Sequence, residues 1–174
     1  MRYKVLMMVA LAMSLLLIGS ACTKQRSASY KDSVKTALEQ ADLKDVRVSE
    51  DEDKNTITLE GKVASDDAKV RATDIAKANA GNRIVVNEVA VEPVGMESQA
   101  KDIASDLDDG IEKNYKAALT SSGLEKQHIR FDAKNGVLTL TGNVKNPAQK
   151  QEAQRLAQAV PNVQQVLNEL DVKR

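Results

Sequence analysis

The chain has 174 residues with 25 basic and 25 acidic side chains, one histidine, one cysteine, one phenylalanine, three tyrosines and no tryptophan. That length suits one ordinary domain or two small ones. The scarcity of aromatics leaves little material for stacking nucleobases or lining an aromatic pocket, and the balanced charge does not argue for nucleic acid.

Residues 1–21 read as a signal peptide. Arg2 and Lys4 form a basic head, VLMMVALAMSLLLI at 5–18 is an apolar run broken only by Ser14, and Gly19-Ser20-Ala21 supplies small residues before a cut. The run is shorter than the roughly 20 residues a membrane-spanning helix needs. IGSAC at 18–22 resembles the lipobox of bacterial lipoproteins, in which Cys22 becomes an acylated N-terminus. Plain secretory cleavage would cut at the same bond, so the two readings differ only in whether Cys22 carries lipid. A lone thiol in an oxidising compartment would have no partner, which favours lipidation. Thr23 after the cysteine, by resemblance to enterobacterial sorting, implies the outer membrane. Cleavage leaves 23 basic and 25 acidic side chains.

Residues 22–29 form a lipidated tether; the eight or so residues after Cys22 span at most about 28 Å. A helix follows with Val34, Ala37, Leu38 and Ala41 on one side. Val46 and Val48 mark a strand, and an acidic turn leads to a return strand carrying Ile57, Leu59, Gly61 and Val63. Val70, Ala72, Ile75, Ala76 and Ala80 recur at helical spacing, and Ile84, Val86, Val89 and Val91 close the unit as a strand.

The same grammar then recurs. NTITLEGKVASDDAKVRATDIAKANAGNRIVVNEVAV at 55–91 aligns without a gap on GVLTLTGNVKNPAQKQEAQRLAQAVPNVQQVLNELDV at 136–172, at a constant offset of 81. Such self-similarity marks an internal duplication, and its long period makes each copy a domain. After a linker at 93–98, the second copy opens on a helix with Ile103, Leu107, Ile111, Tyr115, Ala118 and Leu119 as its apolar stripe. Ile129 and Phe131 alternate along a strand, Asn135-Gly136 signals a tight hairpin, and Leu138, Leu140, Gly142 and Val144 form the inward face of the return strand. Pro147 opens a helix, and Val163, Val166, Leu170 and Val172 belong to the last strand.

The expected fold class is therefore α+β: two tandem α-β-β-α-β modules at 30–92 and 99–174, each a small mixed sheet with two helices on one face. Modules of about 65 residues lie near the lower limit for a self-sufficient core, so the copies should pack on each other. Gly61 and Gly142 sit inside strands, where a glycine permits a bulge or a close helix approach.

Leu59-x-Gly61-x-Val63 with Val86-Asn87-Glu88-Val89, and Leu140-x-Gly142-x-Val144 with Leu167-Asn168-Glu169-Leu170, resemble the BON domain. The resemblance covers about residues 30–173 and makes Gly61, Gly142, Asn87 and Asn168 structural motif positions. It implies a periplasmic envelope protein whose paired domains bind anionic phospholipid membranes and support osmotic stress tolerance.

No catalytic constellation is legible: His128 is the only imidazole and falls on a strand's outward face, and neither a zinc site nor a Cys-His dyad can be assembled. EDED at 50–53 lacks the spacing of an EF-hand loop, so neither metal nor cofactor is expected. Charge is more informative. Residues 30–92 carry 10 basic and 14 acidic side chains, 97–112 six acids and one lysine, and 113–174 ten basic and five acidic. Lys113, Lys116, Lys126 and Arg130, with Tyr115 nearby, are the candidate phospholipid contacts; Tyr115 also lies on the apolar stripe, where burial is the competing role. An ordinary solvated surface is the alternative for the cations. The competing function is a membrane-tethered adaptor docking on an envelope protein complex.

Overall fold

The computed structural model describes residues 29–173; the expected signal peptide at 1–21 and Cys22 lie outside the described residues. The elements run α1 (Tyr30–Gln40), β1 (Val46–Asp51), β2 (Thr56–Val63), α2 (Asp66–Asn79), β3 (Ile84–Asn87), β4 (Ala90–Val91), α3 (Glu97–Ser121), a short 3-10 turn (Leu124–Lys126), β5 (His128–Lys134), β6 (Val137–Val144), α4 (Pro147–Gln158) and β7 (Gln165–Val172). The architecture is α+β and the α-β-β-α-β order occurs twice.

Each module is a mixed sheet with the return strand in the middle. β2 pairs antiparallel with β1 and parallel with β3 and β4; β6 pairs antiparallel with β5 and parallel with β7. Thr56 faces Ile84 and Val137 faces Gln165, so both parallel ladders share one register, 28 residues apart. β3 and β4 keep that register on either side of Glu88–Val89 and amount to one interrupted strand. The hairpins differ as their sequences do. Asn135 (φ 50°) and Gly136 (φ 83°) alone join β5 to β6, with both residues at the positive φ that a two-residue turn requires.

Apolar alternation builds the two cores. Ile57, Leu59 and Val63 of β2 meet Val34, Leu38, Ala72 and Ala76 of α1 and α2. Leu138, Leu140 and Val144 of β6 meet Ile111, Tyr115, Leu119, Ala153 and Ala157 of α3 and α4. Alanine on α2 and α4 lets these helices lie close to the sheet. Ser65 and Asn146 cap them, accepting hydrogen bonds from the amides of Ala68 (3.2 Å) and Gln149 (2.9 Å). Gly81 (φ 61°) and Asn162 (φ 69°) take the left-handed conformation just past the helix ends.

Three apolar residues expected on helix core faces are exposed: Val70 (58%), Ile103 (60%) and Leu107 (45%). Val70 lies on the side of the helix away from the Ala72–Ala76 stripe that faces the sheet. Ile103 and Leu107 belong to a stretch of α3 that runs beyond its own sheet, and α3 begins inside the linker expected at 93–98. Ile84, expected inside the last strand of the first module, is also exposed.

Candidate functional site

The two motif positions of the family resemblance are structural. Gly61 (φ 109°) and Gly142 (φ 106°) face the neighbouring strand, and a Cβ at either would overlap the carbonyl oxygen of Asp45 or His128. This corrects the expectation of a bulge or a helix approach. The antiparallel register runs without an extra residue up to Gly61, where the β1–β2 ladder ends, and through Gly142. The close neighbour in each case is a backbone carbonyl at or just before the start of the preceding strand. Asn87 donates from Nδ2 to the Lys69 carbonyl (3.0 Å) and Thr73 Oγ1 (2.6 Å), and its Oδ1 accepts from the Val89 amide (3.0 Å). Asn168 repeats this with the Lys150 carbonyl, Gln154 Oε1 and the Leu170 amide, each at 3.2 Å. Each asparagine thus ties the last strand to the second helix of its module.

The modules meet through the sheet faces turned away from the helices. Val86 and Val137 point outward from β3 and β6 yet are buried, and neither belongs to a module core. Around them runs a polar rim. Gln165 at the start of β7 accepts from the Asn87 amide (3.3 Å) and donates to the Val85 carbonyl (2.8 Å), occupying the free edge of β3. Lys134 reaches Glu60 and Glu88, both at 2.7 Å, and Lys54 reaches Glu169 at 2.7 Å. Asn135 donates to the Glu88 carbonyl (2.8 Å), and Lys69 donates to the Asn135 carbonyl (2.9 Å). The hydrogen bonds that Lys134 donates to Glu60 and Glu88 hold it above its ordinary value, and the same contact holds Glu60 below its own.

The candidate phospholipid contacts separate into two groups. Lys113, Lys116, Lys126 and Arg130 are exposed. Lys113 lies 3.9 Å from Asp109, whereas Lys116, Lys126 and Arg130 have no carboxylate within ion-pair distance among the described residues. Arg130 faces away from the helix layer, so it does not share a face with Lys113 and Lys116. Tyr115 is not a surface residue. It is fully buried, packs edge-on against Phe131 with centroids 5.1 Å apart, and donates to the Ala153 carbonyl (3.2 Å). Burial pushes its phenol well above the ordinary value. The offset of 81 places Tyr115 on Val34 of the first core, the signal that marks it as a core residue.

The acidic turn at 50–53 does other work. Glu50 accepts from Ser29 Oγ (2.6 Å) and the Lys31 amide (3.2 Å) and pairs with Arg83 at 2.9 Å, so it anchors the start of α1. The Ser29 hydrogen bond leads in holding its carboxyl below the usual range. Among the described residues, no group of three or more His, Cys, Asp or Glu side chains is placed to hold a metal, and no helix is long and apolar enough to cross a membrane.

A duplicated α+β unit, joined sheet face to sheet face and devoted to structure at its motif positions, defines a tandem-module protein. The chain belongs to the BON domain family, whose model matches residues 28–93 and 107–174. It is 30% identical over 142 residues to osmotically-inducible protein Y of Escherichia coli (strain K12), covering 80% of this chain and 69% of that protein. It is also similar to two solved chains of CdsD, a structural protein of the type III secretion system of Chlamydia trachomatis, each at 16% identity and a TM-score of 0.33. These cover 80% and 84% of this chain, which spans 62% of each of them.

Proposed function

We propose that the chain is a non-catalytic envelope lipoprotein, acylated at Cys22 and held at the outer membrane, whose paired BON domains rest on anionic phospholipid and support osmotic stress tolerance. The observation that carries this reading is the contrast between two sets of cations. Lys54 and Lys134 are neutralised by carboxylates where the modules meet, while Lys116, Lys126 and Arg130 stay exposed and unpaired among the described residues. Each well-placed cation near an anionic surface contributes about 1 kcal/mol. The similarity to osmotically-inducible protein Y supports the stress assignment. A lipid on Cys22 would keep the modules near the leaflet, so a weak surface site would still be occupied.

The test is flotation of the mature chain with anionic liposomes. It should float at low salt and release as salt rises. Lys116→Glu/Lys126→Glu/Arg130→Glu should weaken flotation while leaving the fold intact, with single reversals showing whether Lys116 or Arg130, on their different faces, meets the lipid. Folded protein that stays at the bottom at low salt would sink the proposal. The intact mass of the mature protein decides acylation at Cys22 separately. The second reading, a tethered adaptor for an envelope protein complex, is favoured by the exposed Ile103 and Leu107.

A further inference from the structure

α3 is longer than its duplicate. The offset of 81 lays Tyr30–Gln40 on residues 111–121, which leaves 14 of the 25 residues of α3 as an extension found only in the second copy. At 1.5 Å per residue this adds about 21 Å of helix. The module core needs none of it before Asp108, whose carboxylate accepts from the amides of Asn135 (2.7 Å) and Gly136 (3.0 Å) and fastens α3 to the β5–β6 hairpin. The family matches end at residue 93 and resume at 107, so they leave out the first ten residues of the extension.

Yet the extension is amphipathic. Ala100, Ile103, Ala104 and Leu107 recur at helical spacing and line a cleft of about 490 Å³, whose opposite walls include Val91, Pro93 and Val163. Ile103 and Leu107 remain exposed. Helical positions put Glu97 and Asp108, with Lys101 beside them, on one flank of this stripe and Asp106 on the other, while Asp102 lies on the back of the helix. Asp66 adds a carboxylate across the cleft. Lys69, also in the wall, faces Asp66 and Asp108 and is engaged by the Asn135 carbonyl.

We propose that this cleft is a docking groove for a basic amphipathic helix of another protein. The apolar stripe supplies anchors at the spacing a second helix presents, and the acidic flanks fit lysine or arginine on either side of its apolar face. The same flanks work against the other occupants. A second copy would bring its own acids against these, and an anionic bilayer would meet like charge. The groove is distinct from the cations at Lys116, Lys126 and Arg130.

The experiment titrates the matured full chain into a fluorescent amphipathic Leu/Lys helix peptide at low salt. Two controls accompany it, a scrambled peptide of the same composition and a Leu/Glu counterpart. The Leu/Lys peptide should bind at least tenfold more tightly than either control. Ile103→Asp should weaken it at least tenfold, and Asp106→Lys at least threefold, with unchanged unfolding midpoints because both side chains are exposed. Lys116→Glu/Lys126→Glu/Arg130→Glu should leave peptide binding unchanged. Equal binding of the scrambled peptide, or insensitivity to Ile103→Asp, overturns the proposal. So does self-association, or binding to anionic vesicles, that Ile103→Asp abolishes.

Discussion

Asn168 stands in the second module where Asn87 stands in the first, and the two side chains make the same three hydrogen bonds to equivalent partners. Asn87 is buried and its bonds are the shorter, whereas Asn168 is only half-buried. Removing a side chain that satisfies buried backbone groups costs about 1–3 kcal/mol, and less where water can replace it. Asn87→Ala should therefore lower stability by about 2 kcal/mol and Asn168→Ala by about 1 kcal/mol, read from urea unfolding midpoints. Equal costs would show that solvent access does not govern the difference.

Gly61→Ala and Gly142→Ala should each destabilise by about 2–4 kcal/mol, since a positive φ and an overlap with a neighbouring carbonyl act together. Gly95, whose surroundings are open, is the control: its alanine variant pays backbone strain alone, because φ is also positive there. Denaturation of the three variants side by side separates strain from collision.

Tyr115→Ala should cost about 3–5 kcal/mol, as for other large buried aromatics. Tyr115→Phe keeps the edge-on contact with Phe131 and loses only the bond to the Ala153 carbonyl, so about 1 kcal/mol is expected. Neither change should alter liposome flotation of protein that remains folded. A flotation defect in folded Tyr115→Phe would return this residue to the surface.

The junction between modules should respond to pH on both sides of neutrality. Glu60 is held below its ordinary value, so its contribution is present above the unfolded value near 4.3 and is lost as the pH falls through the folded one. Lys134 is held above its ordinary value, so its contribution is present below about 10.4 and is lost as the pH rises through the folded one. Because both side chains are more than a third exposed, a Lys134→Ala/Glu60→Ala double-mutant cycle should give a coupling of only about 0.5–1 kcal/mol at pH 7. That coupling should shrink from pH 5 towards pH 3 and in 1 M salt.

Local pattern carried most of the fold. Alternation in TLTGNV and TLEGKV placed the central strands, and the offset of 81 predicted a second module with the topology of the first. The hairpin difference was legible as well, since Asn-Gly permits a two-residue turn and the acidic loop does not. What stayed illegible depends on the space between elements. Nothing near Gln165 in the chain announces that its carboxamide will lie along β3, and Ile103 and Leu107 have the period of a core stripe although no core lies beneath them. Glycine inside a strand gives no clue to which neighbour comes close, and here it was the adjoining carbonyl.

The stitch made by Gln165 has a consequence for assembly. In the first module its place is taken by Ile84, 81 residues earlier, and an isoleucine has no amide to offer a strand edge. The contact is therefore one-way, a second module reaching onto a first. β7 is likewise an edge strand, and the Ile84 of a first module could not make the same stitch along it. A head-to-tail contact of this kind would otherwise be free to propagate into a filament. One apolar side chain leaves the first module without the group that makes the stitch.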